Sequence, residues 1–382
     1  MHAGNGRMSL GPFLQLPKLL FDFGAIKALP DELRALRVSR PLLLTDQGLV
    51  SCGTFDRVRT ALGQQDFHTF DDTPENPTCD GVERAYAAYR TGQCDGVVAI
   101  GGGSVIDTAK MVAVLGGHGG SIHDFIGQPE KVTANCAPLI ATPTTASSGS
   151  EVSPGCGIHP DANSRAVGTR SHNLVPRVAI CDPELTYSLP PRLTAGTGLD
   201  ALSHCIEGFF SKGVNPIVDA VALEGIAHVC GYVQRAMRDG MDREARWHLM
   251  LAGVAGGTAI GKGLGPAHAM ANALGDRGLH HGLLCAMALP IAVEIVAPHA
   301  PEKMKQLAAA PVFRGSARVS DALRDLNSSL GIPASLRELD FGNADIDELA
   351  IDAAASPFNR SSPYVPTVDE YRAMFAAALR GH

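Results

Sequence analysis

Two different rhythms of apolar and polar residues divide this chain. From Leu10 to about Pro183, short apolar runs alternate with amphipathic stretches: PLLLTD from Pro41, DGVVAIGGG from Asp95, APLIATPTT from Ala137 and RVAICDP from Arg177. Apolar runs of this length, separated by helical patterns, predict strands of a largely parallel sheet in an α/β domain. Beyond Pro190 and Pro191 the strand-like runs fade and long Ala/Leu/Met-rich segments with helical spacing take over. The expected organisation is a flexible start over residues 1–9, a Rossmann-like α/β domain over 10–190 with a mostly parallel sheet, and an all-α domain over 191–382. A ligand between two such domains is expected in the crevice outside the carboxyl ends of the parallel strands.

Composition narrows the class. With 382 residues and 45% hydrophobic content, the chain can bury a large core. Its longest apolar run, Leu283 to Ala297, contains Pro290 and Glu294 and falls short of the roughly 20 residues a membrane span needs. The first residues carry no apolar leader, so the expected location is the cytoplasm, with no membrane partner. Nine cysteines without a C-x-x-C pair suggest reduced core residues. A net charge of −7 without basic runs argues against nucleic acid.

Three glycines in DGVVAIGGGSVIDTAK stand between an apolar strand and a helix opened by Ser104. Such a turn lets backbone N–H groups approach a pyrophosphate at a helix N-terminus, although it also serves as a plain strand-to-helix turn. Asp107, one turn into the helix, would bond a ribose or cap the turn. Thr144, Thr145 and Ser148 in PTTASSGSE put hydroxyls at another strand end. Asp46 ends a third strand, where it would bind ribose hydroxyls and favour NAD over NADP, or cap a helix.

The helical half holds metal-type donors. Asp200 and His204 in GLDALSHCIEGFFS are spaced i, i+4, so a helix carries both on one face within a very apolar segment. His268 opens the helical pattern HAMANAL, and His281 follows after a short loop. One carboxylate and three imidazoles suit Fe²⁺ or Zn²⁺ with a coordination position left for substrate.

GGGSVIDTAK, ATPTTASSGSE, GLDALSHCIEGFFS and HAMANAL…HHG, in this order, closely resemble the signature regions of the iron-containing (group III) alcohol dehydrogenases, and the likeness runs from about Leu16 through nearly the whole chain. The resemblance implies NAD(P) in the interdomain cleft, catalytic Fe²⁺ on Asp200, His204, His268 and His281, and pyrophosphate on Gly102, Gly103 and Ser104. Asp107, Thr144, Thr145 and Ser148 would complete that site, with Asp46 at the ribose and Asn76 of ENPT as a further contact. His281 is chosen over His280 because the family's ligand directly precedes a glycine. FDDTPENPT, CDPELT and KGLG…GLHHG look like the 4-hydroxybutyrate dehydrogenase branch, which implies a small ω-hydroxy acid and its semialdehyde. A homodimer is also expected.

Several positions depart from the family pattern. Asn272 replaces a histidine four residues after the third ligand, so His280, a ribose hydroxyl or a water chain would relay the proton. Ser147 stands at a usual glycine, and Arg165 is the nearest basic residue to a missing cofactor-contacting lysine. Lys262 is a candidate carboxylate anchor or a solvated lysine. A maleylacetate-reductase-like enzyme, a dehydroquinate-synthase-like lyase and an NAD-binding relative with a decayed site are the competing readings.

Overall fold

The computed structural model describes residues 15–162, 164–275 and 280–381; the start over 1–9 and part of the loop before His281 lie outside the described residues. Six strands form one sheet: β1 Lys18–Phe21, β2 Pro41–Leu44, β3 His68–Phe70, β4 Gly96–Gly101, β5 Leu139–Pro143 and, after a hairpin, β8 Val178–Cys181. The hairpin pairs β6 Gly155–Ile158 with β7 Val167–Arg170, antiparallel. The six-stranded order is β1-β8-β5-β4-β2-β3, and every pairing in it is parallel.

The central strands explain the apolar runs. β2, β4, β5 and β8 are buried at every residue, so neither face offers a place for polar side chains. Leu42, Leu44, Val97, Ala99, Leu139 and Ala141 face α4 Cys79–Thr91 and α5 Gly103–His118. Their sequence neighbours Leu43, Val98, Ile100 and Ile140 face the opposite layer, which includes α1 Leu29–Ala35 and α3 Thr54–Leu62. A short helix, α2 Gln47–Ser51, follows β2. Because β3 lies on one side of β2 and β4 on the other, the chain reverses its winding between β2 and β4. That reversal opens a crevice at their carboxyl ends.

From Pro191 onward the described residues are helical: α6 Pro191–Phe210, α7 Pro216–Arg238, α8 Arg243–Ala259, α9 Pro266–Leu274, α10 His281–Val296, α11 Pro301–Ala308, α12 Val319–Ser329, α13 Ile346–Ala355 and α14 Val368–Arg380. They share one apolar core that runs from Ala195 to Leu379. α6 threads through it, buried at every position from Thr194 to Phe210. By length and composition alone, Pro216–Arg238 and His281–His299 pass for membrane spans. The second is 72% buried, and the first turns Val218, Ala222, Ile226, Val229 and Val233 into the core.

Pro290 lies inside α10 without interrupting it. A proline removes the hydrogen bond to the carbonyl four residues earlier, here Ala286. Asn327 of α12 supplies the missing donor, its Nδ2 lying 2.7 Å from that oxygen. The two halves meet where the loop after β5 lies on α8. Gly149 adopts φ +61°, and a Cβ there would stand 2.1 Å from Gly257 Cα.

Candidate metal and cofactor site

At the crevice, β4 runs directly into the glycine turn. No side chain caps α5, whose N-cap is Gly102, so its first amides are available to an anion. The hydroxyl-bearing loop lies against this turn. A Cβ on Gly102 would approach Thr145 to 3.2 Å, and one on Gly103 would approach Ser148 Cβ to 2.8 Å. The Thr144 amide donates to Gly101 O at 3.1 Å, fixing that loop to the end of β4. Ser104 uses its hydroxyl to hold the carbonyl of Glu75, which brings the exposed Asn76 loop to the same edge.

Asp107 is committed within the protein: Ser150 Oγ donates to one oxygen and the Gly157 amide to the other at 2.8 Å. It braces the hairpin against α5. Asp46 is the N-cap of α2 and accepts from the Leu49 amide at 2.9 Å, half-buried at the end of β2 beside the crevice.

The donors of the helical half converge. Asp200 Oδ1 lies 3.7 Å from His204 Nε2 and 3.7 Å from His268 Nε2. The His204 and His268 rings stack at 4.7 Å, and the His268 and His281 rings are 5.6 Å apart. Donor atoms held around one ion at about 2.1 Å stand roughly 3.4 Å from each other in a tetrahedron, so these spacings suit a shared cation. Among the described residues, Asp200 Oδ1, His204 Nδ1 and His268 Nε2 are buried without a hydrogen-bond partner. Buried polar atoms left unpaired cost on the order of 1–3 kcal/mol each. A divalent ion at their meeting point would take up both Asp200 Oδ1 and His268 Nε2, so the residues fit the group.

Backbone contact sets this geometry. α10 begins so close to α6 that a Cβ on Gly282 would stand 2.1 Å from Gly196 O and 2.9 Å from Asp200 Cβ. The neighbouring His281 is thereby delivered to Asp200.

Two residues that sequence reasoning missed hold the donors in place. Glu207, one turn beyond His204, accepts from His268 Nδ1 at 2.6 Å and from the amides of Gly265 and Ala267 at 3.0 and 2.6 Å. It thus caps α9 and leaves the His268 Nε2 lone pair facing Asp200. Ser147, which stood out only as a departure from glycine, donates its hydroxyl to Asp200 Oδ2 at 2.7 Å. The local signal for Glu207 was a carboxylate inside the apolar run CIEGFF.

Burial and neighbours pull the titrating groups in opposite directions. Burial pushes His204 down to about 4, with Asp200 opposing, so it stays a neutral imidazole. Burial alone would raise Asp200, but His204, His268 and His281 outweigh it and hold the carboxyl well below its usual range. His281 is likewise favoured by burial to be neutral, yet Cys285 and Asp200 push it up to about 9.

The remaining expected residues are scattered. His280 is the half-buried N-cap of α10, its Nδ1 accepting from the Gly282 amide at 3.2 Å. Asn272 is exposed, one turn after His268 on α9. Lys262 is neither solvated nor free to anchor a substrate, because its buried ammonium pairs with Asp219. Arg165 is paired with Asp352 and does not replace the missing lysine.

Comparison with known proteins covers both halves of the chain. Residues 17–183 match the family described as "Iron-containing alcohol dehydrogenase", and residues 194–379 match "Fe-containing alcohol dehydrogenase family, C-terminal". The chain is 38% identical over 378 residues to 4-hydroxybutyrate dehydrogenase of Cupriavidus necator, covering 95% of this chain and 98% of that one. A crystal structure of 1,3-propanediol oxidoreductase superposes with a TM-score of 0.91 at 29% identity, covering 97% of this chain and 100% of that one. Sulfoacetaldehyde reductase from Bifidobacterium kashiwanohense, solved in complex with NAD+, gives 0.87 at 29% identity over 97% and 99% of the two chains. The two family matches together span both halves of the molecule, and the chain belongs to the iron-containing alcohol dehydrogenase family.

Proposed function

We propose that this protein interconverts a small primary alcohol and its aldehyde with NAD(H), acting on an ω-hydroxy acid such as 4-hydroxybutyrate, at an Fe²⁺ centre held by Asp200, His204, His268 and His281. The observation that carries the reading is the meeting of unpartnered buried donors, Asp200 Oδ1 and His268 Nε2, in a fold whose glycine turn opens at the sheet's winding reversal. The substrate class is supported by the 38% identical relative from Cupriavidus necator. On this reading the pyrophosphate lies on Gly102, Gly103 and Ser104, flanked by Thr144, Thr145 and Ser148. Asp46 and Asn76 stand toward the ribose, and Asp107 keeps the turn in shape. Zn²⁺ would fit the same donors.

When bound, the nicotinamide exchanges the hydride and the divalent ion favours the deprotonated alcohol. The chain's own residues orient and insulate. Ser147 and Glu207 fix the donor atoms of Asp200 and His268, and Phe358, whose ring centre is 5.9 Å from that of His268, adds an apolar wall. Asn272 cannot titrate near neutrality, which leaves His280 as the histidine suited to pass a proton toward solvent. Its Nδ1 accepts from the Gly282 amide, so the exchangeable proton is on Nε2. Of the two long apolar helices, His281–His299 is largely buried and Pro216–Arg238 packs one face on the core.

An anaerobic assay decides the matter. Chelator-treated protein is supplied with Fe²⁺ or Zn²⁺ and NAD+, then offered short primary alcohols and ω-hydroxy acids. NADH formation is expected, fastest with 4-hydroxybutyrate; no NADH formed from any alcohol and none consumed with any aldehyde would overturn the reading. Asn272→His should reshape the pH–rate profile without altering metal content, and loss of metal in that variant would remove Asn272 from the proton path.

A further inference from the structure

Cys285 does not behave as one more core thiol. It lies on α10 one turn after His281, a spacing that puts both side chains on one face of the helix. The residue is 0% exposed, and its Sγ stands 3.4 Å from His281 Nε2. Donor atoms of Asp200, His268, His281 and Cys285 all lie within 4.8 Å of one another. Asp200 Oδ1 and His268 Nε2, on residues 4% and 2% exposed, are the unpartnered atoms of this same cluster. A thiolate binds zinc at about 2.3 Å and an imidazole at about 2.0–2.1 Å, which puts sulfur and nitrogen roughly 3.1 Å apart at a right angle and roughly 3.5 Å apart at the tetrahedral angle, the range open to a centre of four or five donors. The observed separation matches.

We propose that Cys285 is a further donor to the metal centre, so that this chain offers a sulfur atom alongside Asp200, His204, His268 and His281. The inference rests on the metal site proposed above. Two consequences follow from donor chemistry. A soft sulfur ligand favours Zn²⁺ or Co²⁺ over Fe²⁺ relative to a set of nitrogen and oxygen donors alone. A second anionic donor also cancels the charge that a divalent ion and one carboxylate would leave, so Cys285 competes with substrate oxygen for the ion.

Cobalt makes sulfur ligation visible. Chelator-treated full-length protein, titrated anaerobically with Co²⁺, should take up one equivalent and develop visible ligand-field bands together with an intense near-ultraviolet thiolate-to-cobalt band. Cys285→Ala and Cys285→Ser should keep the equivalent and the visible bands but lose the near-ultraviolet one, and should release zinc to a competing chelator about tenfold more readily. Cys94→Ser, in the α/β half, should retain the band. Visible bands without a near-ultraviolet band in the unmodified protein, or an undiminished band in Cys285→Ala, would overturn the role of Cys285 alone. Failure of the unmodified protein to take up cobalt would overturn the metal site itself. Should both Cys285 variants misfold, X-ray absorption of the unmodified zinc protein gives the answer: one sulfur neighbour at about 2.3 Å supports the assignment, and nitrogen and oxygen neighbours only refute it.

Discussion

The two halves of this site are built from different materials. In the α/β half, the proposed nucleotide site would rely largely on the backbone: the bare turn at Gly102 and Gly103, the uncapped start of α5, and hydroxyls standing where a Cβ would intrude. In the helical half the backbone provides only proximity, and the chemistry belongs to side chains whose far ends are tied down by Glu207 and Ser147. A backbone site is damaged by adding atoms, and a side-chain site by removing partners.

The largest effect is expected where the halves touch. Gly149→Ala combines an unfavourable positive φ with a backbone collision against Gly257 that no rotamer relieves. A loss of about 3–5 kcal/mol should appear as a large drop in Tm or a failure to accumulate; an unchanged Tm would mean that the junction is not closely packed. Next comes Glu207→Gln, which preserves shape but removes the charge that holds His268. Metal retention should fall about 10- to 100-fold while NAD(H) affinity stays unchanged. Equal metal content in the two proteins would refute the role given to Glu207.

Buried carboxylates sharpen the contrast further. Asp200 is surrounded by histidines and stays ionised, whereas burial raises Glu151 of the α/β half to about 7, Lys110 offsetting only part of it. A carboxyl whose folded value exceeds its unfolded one contributes stability at low pH that is lost as pH rises through the folded value. Between pH 5.5 and 8 the protein should therefore lose about 2 kcal/mol through this group, and Glu151→Gln should flatten that decline in denaturant titrations. Parallel pH profiles for the two proteins would show that Glu151 is already ionised when folded. The smallest change is expected from Gly103→Ala, whose added methyl meets the side chain of Ser148. NAD(H) should bind about tenfold more weakly, near 1.4 kcal/mol, with metal content unaltered. Measured loss of metal instead would mean that nucleotide turn and metal cluster are not separate sites.

What could be read from the chain follows the same division. Strands buried on both faces write continuous apolar runs, so β2, β4, β5 and β8 were legible. The edge strand β1, with Lys18 and Leu19 exposed, and the three-residue β3 carry no such run. The hairpin β6–β7 escaped as well, because Gly155, Gly157 and Gly168 dilute any pattern. Among donors, the i, i+4 pair of Asp200 and His204 announces a helix face. Glu207 did not stand out, since a glutamate in a helix ordinarily marks solvent and only the three-dimensional cap on α9 reveals its work. Cys285 passed for core because a thiol scores as apolar. That α10 continues through Pro290 could not be read locally, because the donor that replaces the lost hydrogen bond comes from Asn327, some forty residues away.

The hydrogen bond from Ser147 to Asp200 crosses from one half of the molecule to the other. Ser147 belongs to the loop that also carries Thr144, Thr145 and Ser148, so the position of that loop and the orientation of the Asp200 carboxylate are tied by one contact. One hydroxyl thus carries the position of a loop in the α/β half into the helical half, and a shift of that loop would turn the Asp200 carboxylate with it.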